Sequence, residues 1–412
     1  MTAPAKLLYF GFAFPPGISG LFPDAQPAGH LMETNLVNAL RPWFEIKSAG
    51  ISWIEVEKIT PDNTSPGLPH ALNLLDKPPE LLHRWRSLAR LKRQYQRWTR
   101  SGWIPDAILM YNFSPVYNGF IRWLKRQPCA PCLVLYLADS MNLQQAFPWT
   151  RRVRHALKPL TWPDSEMVSL VDACIGVSAS TEKFFADRRL PWLWLPNGCN
   201  SGRALQPSTE HPGNGPIQFG YIGSLGAHAG AQDLLRVFLA REGTERLHIC
   251  GFGMPKARVA ALCRHNERLQ FHEPRTPDAC LRLSQTWDVL VNPRPIWPGN
   301  ENNFPSKVFE YALSGRAILT SPISGVDQVL GEEAFYFDPA DFDANMRAAL
   351  DKVAGIPRAE LRRRGACLQK RLIENYAWEK QGRRAAEFIY RQLPGSREAQ
   401  EVTQPASETL SK

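Results

Sequence analysis

From Ile217 onward the chain repeats one rhythm: a short apolar run, then a stretch with helical spacing. "IQFGYIG" is followed by "GAQDLLRVFLA", "RLHICG" by "PKARVAALCRH", and "LQFHEP" by "PDACLRLSQTW". Then come "DVLVNP" and "PSKVFEYALSG", "AILTSP" and "GVDQVLG", "AFYFDP" and "DANMRAALDKVAG". Short, continuously apolar runs suit strands buried on both faces, and strands alternating with helices suit a parallel sheet joined by crossovers. The second half is therefore expected to be a Rossmann-like α/β domain. The first half shows the rhythm less cleanly. Its strand candidates are "KLLYFGFAF", "FEIKSAGI", "DAILMYN", "CLVLYLAD", "ACIGVSAS" and "WLWLPNG". A chain of 412 residues has room for two or three domains. "LPNGCNSG", punctuated by Pro and Gly, marks the passage between them.

The formal net charge of +10 points to an acidic partner: a nucleotide phosphate, nucleic acid or an anionic membrane surface. The eight Cys form no ladder of pairs. "CAPC" (Cys129, Cys132) lacks the second ligand pair that zinc needs, and it precedes a strand rather than opening a helix, so it reads as two spare thiols. No run is long enough to span a bilayer. "KLLYFGFAFPPG" is closed by Pro15 and Pro16 rather than by a cleavage site, so it reads as a first strand in a cytoplasmic protein.

The chemistry concentrates in "NENNFPSKVFEYALSGRAIL", Asn300 to Leu319. Its second half reads as a buried helix running into a strand. Its first half puts Lys307 and Glu310 one turn apart at the helix entrance. Pro305 suits a first helical turn, whose free N–H groups attract anions. Lys307 adds a point charge there, and Arg294, at the end of the preceding strand, adds a bidentate fork. Glu310 can accept two hydrogen bonds from a ribose. The set suits a nucleoside diphosphate at the carboxyl edge of an open sheet. The plain alternative is a surface Lys–Glu pair, with Arg294 bonded to Glu301.

"NPRP…NENNFPSKVFEYALSGRAIL" resembles the donor-binding signature of GT-B glycosyltransferases, in particular the large retaining group called family 4. "FGYIGSLGAHAG", "LPNGCN", "DACIGVSAS" and "ICGFG" are similar to further motifs of that group, and the resemblance runs from about Asp172 to Pro339. It implies two Rossmann-like domains facing across a cleft. Residues 1–195 would bind the acceptor and 196–375 the nucleotide sugar. A helix over 376–394 would cross back to the first domain, ahead of a disordered tail over 395–412.

The resemblance also implies roles. Glu310 matches the second glutamate of an E-x7-E motif, which holds the donor ribose. Lys307 and Arg294 match diphosphate contacts. Gly223, Ser224 and Gly226 lie in the loop that approaches the diphosphate; a tight turn is the plain reading of Gly223. Gly251 to Met254, with Gly251 and Gly253, and Glu273 to Thr276 would cradle the base, and Phe304 and Ser306 complete the donor set. Acceptor contacts fall at Gly17, Tyr111, Asn112 and Asp139. Two places depart from the family. Asn302 stands where many relatives carry the first glutamate, leaving Glu301 or Asn302 itself to meet the sugar. Ala229, preceded by His228, stands where a lysine is common. The implied chemistry is retention at the anomeric carbon, with the leaving diphosphate stabilised by Arg294, Lys307 and fixed N–H groups. It demands no metal and no further cofactor.

"HRWRSLARLKRQYQRWTRSGW" (His83–Trp103) carries Trp85, Leu88, Leu91, Tyr95 and Trp98 on one helical face and Arg or Lys over much of the rest. It suits an anionic membrane surface and a saccharide or lipid-linked saccharide acceptor, as in polysaccharide or glycolipid assembly at the inner face of the membrane. A solvated helix docking its Trp face on the core suits it equally. Nucleic acid is the weaker partner, since no recognised module accompanies the charge. Alongside a transferase, the residues leave open a binding protein without turnover and a sugar-nucleotide epimerase or hydrolase.

Overall fold

The computed structural model describes residues 4–11, 27–52, 71–75, 81–112, 115–138, 168–206, 215–254, 261–264, 266–273, 276–297 and 300–394. The chain divides into two compact units. The first takes the chain up to Leu195, apart from Ser178–Ser180, and everything from Gln381 on. The second takes Pro196–Lys380 with Ser178–Ser180.

The first unit holds a seven-stranded sheet. Its strands are β1 (Ala5–Phe10), β2 (Phe44–Ser52), β3 (Ala71–Leu75), β4 (Ala107–Tyr111), β5 (Cys132–Leu137), β6 (Ala173–Gly176) and β7 (Trp192–Trp194). They lie in the order β3-β2-β1-β4-β5-β6-β7, all pairs parallel. Every expected strand is present. β3, "ALNLL", escapes the pattern: five residues inside a polar stretch leave no period to read. Helices α1 (Pro27–Leu40), α2 (Leu81–Arg100) and α3 (Pro115–Leu124) connect strands of this sheet.

The basic α2 settles one open choice. Leu88, Leu91, Tyr95 and Trp98 are all buried, in one core with Phe10, Tyr117, Phe120 and Ile121. Tyr95 meets the Phe120 ring edge-on with centroids 5.4 Å apart, and Trp98 meets Trp103 at 5.7 Å. The described residues of the aromatic stripe therefore form a core face. Arg93, Arg97 and Arg100 lie on the exposed side. The side chain of Trp85 lies outside the described residues.

The second unit holds a six-stranded parallel sheet in the order β10-β9-β8-β11-β12-β13. These strands are β8 (Gln218–Ser224), β9 (Arg246–Phe252), β10 (Leu269–His272), β11 (Val289–Asn292), β12 (Ala317–Thr320) and β13 (Phe335–Tyr336). Central strands such as "VLVN" and "AILT" are buried at every position, as sheets covered on both faces require. One face packs Phe219, Tyr221, Leu247, Ile249 and Val291 against α4 (Ala231–Leu239) and α7 (Phe342–Ala354). Between α4 and α7 come α5 (Pro277–Ser284) and α6 (Lys307–Leu313), which run between β10 and β12. The chain order reverses between β8 and β11, the kind of place where open α/β sheets bind ligands.

After Pro357 come two helices, α8 (Arg358–Tyr376) and α9 (Trp378–Tyr390), broken at the extended residue Ala377, and α9 falls within the helix expected over 376–394. The break is pinned to "PNGC": Cys199 N–H donates to the Tyr376 carbonyl at 2.9 Å, and Trp378 N–H donates to the Cys199 carbonyl at 3.0 Å. The Trp378 ring lies over Gly198, where a Cβ would sit 2.7 Å from it. Beyond Lys380, α9 packs within the first unit. Tyr390 stacks on Phe44 and donates its hydroxyl to the Trp43 carbonyl at 2.6 Å. No helix of the described residues is long and apolar enough to cross a membrane.

Candidate functional site

The carboxyl edge of the second sheet gathers the expected donor residues. β8 ends in "GS" and turns through Leu225–Gly226. Gly223 sits at φ 141°, a backbone conformation that side chains resist, and a Cβ there would lie 2.3 Å from Lys307 Nζ. Gly223 is thus more than a turn residue. Its bare surface is where the Lys307 ammonium lies. Nζ donates to the Tyr221 hydroxyl at 2.7 Å and stands 4.4 Å from the centre of that ring. The Tyr221 hydroxyl in turn donates to the Ser224 carbonyl. Gly251 of β9 closes the loop from the other side, with room for a Cβ denied by the Gly223 carbonyl at 2.2 Å. Gly253 follows at φ 97°. Ser224 Oγ accepts from the Gly226 N–H at 3.2 Å, which tightens the turn.

Arg294 extends from the end of β11. Its Nη2 donates to Asn300 Oδ1 at 3.1 Å, and its carbonyl accepts from Ser321 at 2.8 Å. Asn300 is buried and fully used: its Nδ2 donates to the carbonyls of His228 at 2.9 Å and Pro295 at 3.0 Å. Asn300 therefore ties Arg294 to the loop after β8. Burial, followed by the nearby Arg294, pulls the Lys307 ammonium down to about 7. His228 is also lowered, by burial and then by the charges of Arg294 and Lys307. Three basic side chains thus share one field at this edge. Charging them together is costly without an anion and favourable with one.

Glu310 lies one turn along α6 from Lys307 but does not pair with it. Its carboxylate accepts from Arg203 Nη1 at 3.0 Å, and Arg203 Nε donates to Asp278 Oδ1 at 2.9 Å. Burial raises the Glu310 pKa, against the pull of Arg203. The side chain keeps 40% exposure, so the carboxylate remains open to a ligand. The plain reading of a surface Lys307–Glu310 pair fails: the two charges have separate partners.

Other details differ from expectation. The helix begins at Lys307, with Ser306 as its cap, and runs to Leu313. Pro305 precedes it rather than opening it. A helix of two turns contributes little dipole, so anion binding rests on the side-chain cations. Phe304 is buried against Phe309 and serves packing. Asn302 Oδ1 accepts from the Ser180 hydroxyl at 2.7 Å, in the short segment that groups with this unit. The side chain of Glu301 lies outside the described residues. Ala229 is buried at the end of the short turn Ala227–Ala229, just before Gly230. The carbonyl of Glu273 accepts from the Cys250 thiol at 3.5 Å, which joins the ends of β9 and β10.

Sequence reasoning missed Arg203, Asp278, Tyr221, Asn300 and the basic role of His228. His228, Asn300 and Tyr221 left a signal only by lying in or beside quoted motifs. Arg203 lies in an aperiodic passage, 107 residues from its partner Glu310.

In the first unit, Tyr111 closes β4, buried and stacked on Tyr136 with centroids 5.7 Å apart. Asn112, at φ 53°, accepts the Ala138 N–H at 2.9 Å and so links the ends of β4 and β5. Both lie at the carboxyl edge of their sheet. Gly17 and Asp139 lie outside the described residues. Nearby, Tyr9 donates to the buried Glu33 carboxylate at 2.6 Å, a pair unmarked in the sequence. The eight cysteines are free thiols, and no cluster of three metal-ligating side chains occurs among the described residues.

Residues 216–354 match the family described as Glycosyl transferases group 1. No curated protein sequence matches the chain. Among solved structures, sucrose-phosphate synthase from Thermosynechococcus elongatus is similar at 15% identity and a TM-score of 0.67, covering 94% of this chain and 98% of its own. A UDP-forming α,α-trehalose-phosphate synthase from Burkholderia xenovorans, solved with glucose-6-phosphate, is similar at 13% identity and 0.65, covering 93% and 100%. Anabaena HepE, solved with UDP, follows at 11% and 0.62, covering 93% and 99%. The fold is GT-B, with two Rossmann-like units, and the match to group 1 glycosyltransferases lies within the second unit.

Proposed function

We propose that this GT-B glycosyltransferase moves a sugar, with retention at the anomeric carbon, from a nucleoside-diphosphate sugar to a saccharide or lipid-linked saccharide. One observation carries the donor half: the Lys307 ammonium lies over the bare Gly223 backbone beside Arg294, while Glu310 is held apart by Arg203. A diphosphate takes the first place and a ribose the second. Solved relatives in fold have been crystallised with UDP, which supports a uridine donor among the candidates.

Arg294 and Lys307 oppose the negative charge that grows on the leaving diphosphate. The acceptor hydroxyl attacks the same face from which the diphosphate departs, and its proton passes to a diphosphate oxygen. Glu310 orients the ribose and takes no part in bond making. The site's own residues supply the positive charge, so the proposal assigns no metal. A cytoplasmic location fits a nucleotide-sugar donor.

The test is turnover. Candidate nucleotide sugars are screened by thermal shift, since a ligand stabilises the state it binds. The stabilising donor is then incubated with saccharide and lipid-linked acceptors, and the anomeric configuration of the product is read by NMR. Inversion would refute the mechanism. Release of nucleoside diphosphate without a glycosylated product would favour a hydrolase.

A further inference from the structure

Two cysteines of the second unit meet sulfur to sulfur. Cys250 lies on β9 and is buried, and Cys280 lies on α5 and is half-buried. Their Sγ atoms are 3.9 Å apart. A disulfide holds its sulfurs at about 2.0 Å, so the pair has about 1.9 Å left to close.

How each cysteine is held says which one moves. β9 is paired with β8 on one side and β10 on the other, with Cys250 opposite Ile222 and His272. α5 is a short helix. Leu281 and Ser284 anchor its second half in the core, while Thr276, Pro277 and Asp278 at its start are exposed. Closing the bond therefore draws the first turn of α5 toward β9. That turn carries Asp278, which accepts from Arg203 Nε at 2.9 Å, while Arg203 Nη1 lies 3.0 Å from the Glu310 carboxylate. Asp278 is two residues from Cys280 and travels with it. As its contact with Arg203 stretches, the guanidinium turns its whole charge on Glu310, which then offers less to a ribose.

We infer that Cys250 and Cys280 form a reversible thiol-oxidation site whose disulfide weakens nucleotide binding. The bond stands on the sulfur geometry, and its effect on binding rests on the donor reading of Glu310. The oxidant is hydrogen peroxide. Cys280, the more exposed of the two, meets it first. Its sulfur takes one peroxide oxygen, the O–O bond breaks, and the other oxygen leaves as water with the thiol proton. The Cys250 sulfur then attacks the Cys280 sulfenic acid. The S–S bond forms, the S–O bond breaks, and the hydroxyl leaves as water with the Cys250 proton. The two thiols together lose two electrons and one peroxide gains them. A dithiol reverses the bond by exchange, so in a reducing compartment the pair rests open and closes under peroxide.

The test uses the whole chain carrying Cys129→Ser, so that Cys129 and Cys132 cannot supply a bond. Reduced protein is treated with hydrogen peroxide, its remaining thiols are alkylated, and it is digested without reductant. Mass spectrometry should find the Cys250 and Cys280 peptides joined, two hydrogens lighter than their sum, and dithiothreitol should part them. In Cys250→Ser, dimedone should trap Cys280 as its sulfenic acid. The reduced and oxidised forms are then titrated calorimetrically with UDP, ADP and GDP, and with inorganic pyrophosphate. Oxidation should cost the best-bound nucleotide about tenfold or more in affinity, the size of a hydrogen bond to a charged group, and leave pyrophosphate, which has no ribose, as before. Cys280→Ser should bind nucleotide alike before and after peroxide. Absence of the joined peptide, nucleotide affinity unchanged by the bond, or an equal loss for pyrophosphate overturns the inference and leaves the donor site standing. A reduced protein that binds none of the three nucleotides overturns the donor reading instead, while the peptide map still decides the bond.

Discussion

Raising the pH should release the donor, through Lys307. The ammonium is shielded from water and stands near the Arg294 guanidinium, which together bring its pKa to about 7. A diphosphate in that place needs the charged form, so apparent affinity scales with the protonated fraction. With a pKa near 7, affinity should fall about tenfold from pH 6 to pH 8, and about tenfold again by pH 9. A nucleotide sugar is the right probe, because a diphosphate esterified at both ends does not titrate in this window. Of the neighbouring groups, His228 is lowered from its ordinary value by burial and then by Arg294 and Lys307, and Tyr221 is raised well above its own by burial. Calorimetry in buffers of differing ionisation enthalpy counts the protons. Binding should take up about half a proton at pH 7 and nearly one at pH 8. Lys307→Met should abolish both the uptake and the slope. In the free protein the sign reverses. The unfolded chain keeps the lysine proton up to about pH 10, so above about pH 7 it binds more protons than the native state, and this residue's contribution to stability rises with pH. Constant donor affinity from pH 6 to 9 without proton uptake would refute the argument.

Glu310→Gln should weaken donor binding by about 1.5–3 kcal/mol, the range for a hydrogen bond to a charged group, at an unchanged melting temperature; wild-type affinity by calorimetry returns Glu310 to a structural ion pair. Lys307→Ala and Arg294→Ala should both lower single-turnover rates as well as affinity, and a rate unaffected in either removes that residue from the leaving group. Gly230→Ala should destabilise the fold by about 1–3 kcal/mol in urea unfolding, because φ is 72° and the new Cβ would meet the Pro293 carbonyl at 1.6 Å. Trp98→Ala should cost about 3–5 kcal/mol, as truncation of a buried aromatic does; a variant of wild-type stability that no longer sediments with anionic vesicles would restore the membrane reading of α2.

The strand rhythm was legible because double burial forces continuous apolar runs, and those runs do not depend on distant partners. "ALNLL" was illegible because a short edge strand needs only one neighbour and little apolar length. The stripe on α2 shows the limit of periodicity. Spacing fixes which residues share a face and is indifferent to what covers it, and Tyr95 and Trp98 find the first unit's core. The donor residues were legible as residue types at one sheet edge, with the family resemblance assigning their roles. Their partners were not, because a pair such as Arg203 and Glu310 forms only once the chain has closed.

The two charges at the entrance of a core-bound helix make physical sense on those partners. A Lys–Glu pair at that spacing on an exposed helix is worth a few tenths of a kcal/mol and would leave both groups satisfied. Here each is drawn away from the other. Lys307 crosses to a glycine and a tyrosine hydroxyl, where its charge is poorly compensated and its proton is held loosely. Glu310 is braced by Arg203, whose second partner Asp278 keeps that guanidinium from neutralising it alone. The later turns of the same helix bury Val308, Phe309, Ala312 and Leu313 completely, which fixes the backbone from which both charges project. A helix that only needed solubility would have paired them. Keeping them apart leaves a cation for an arriving anion and a carboxylate for its hydroxyls, a turn apart on a rigid support.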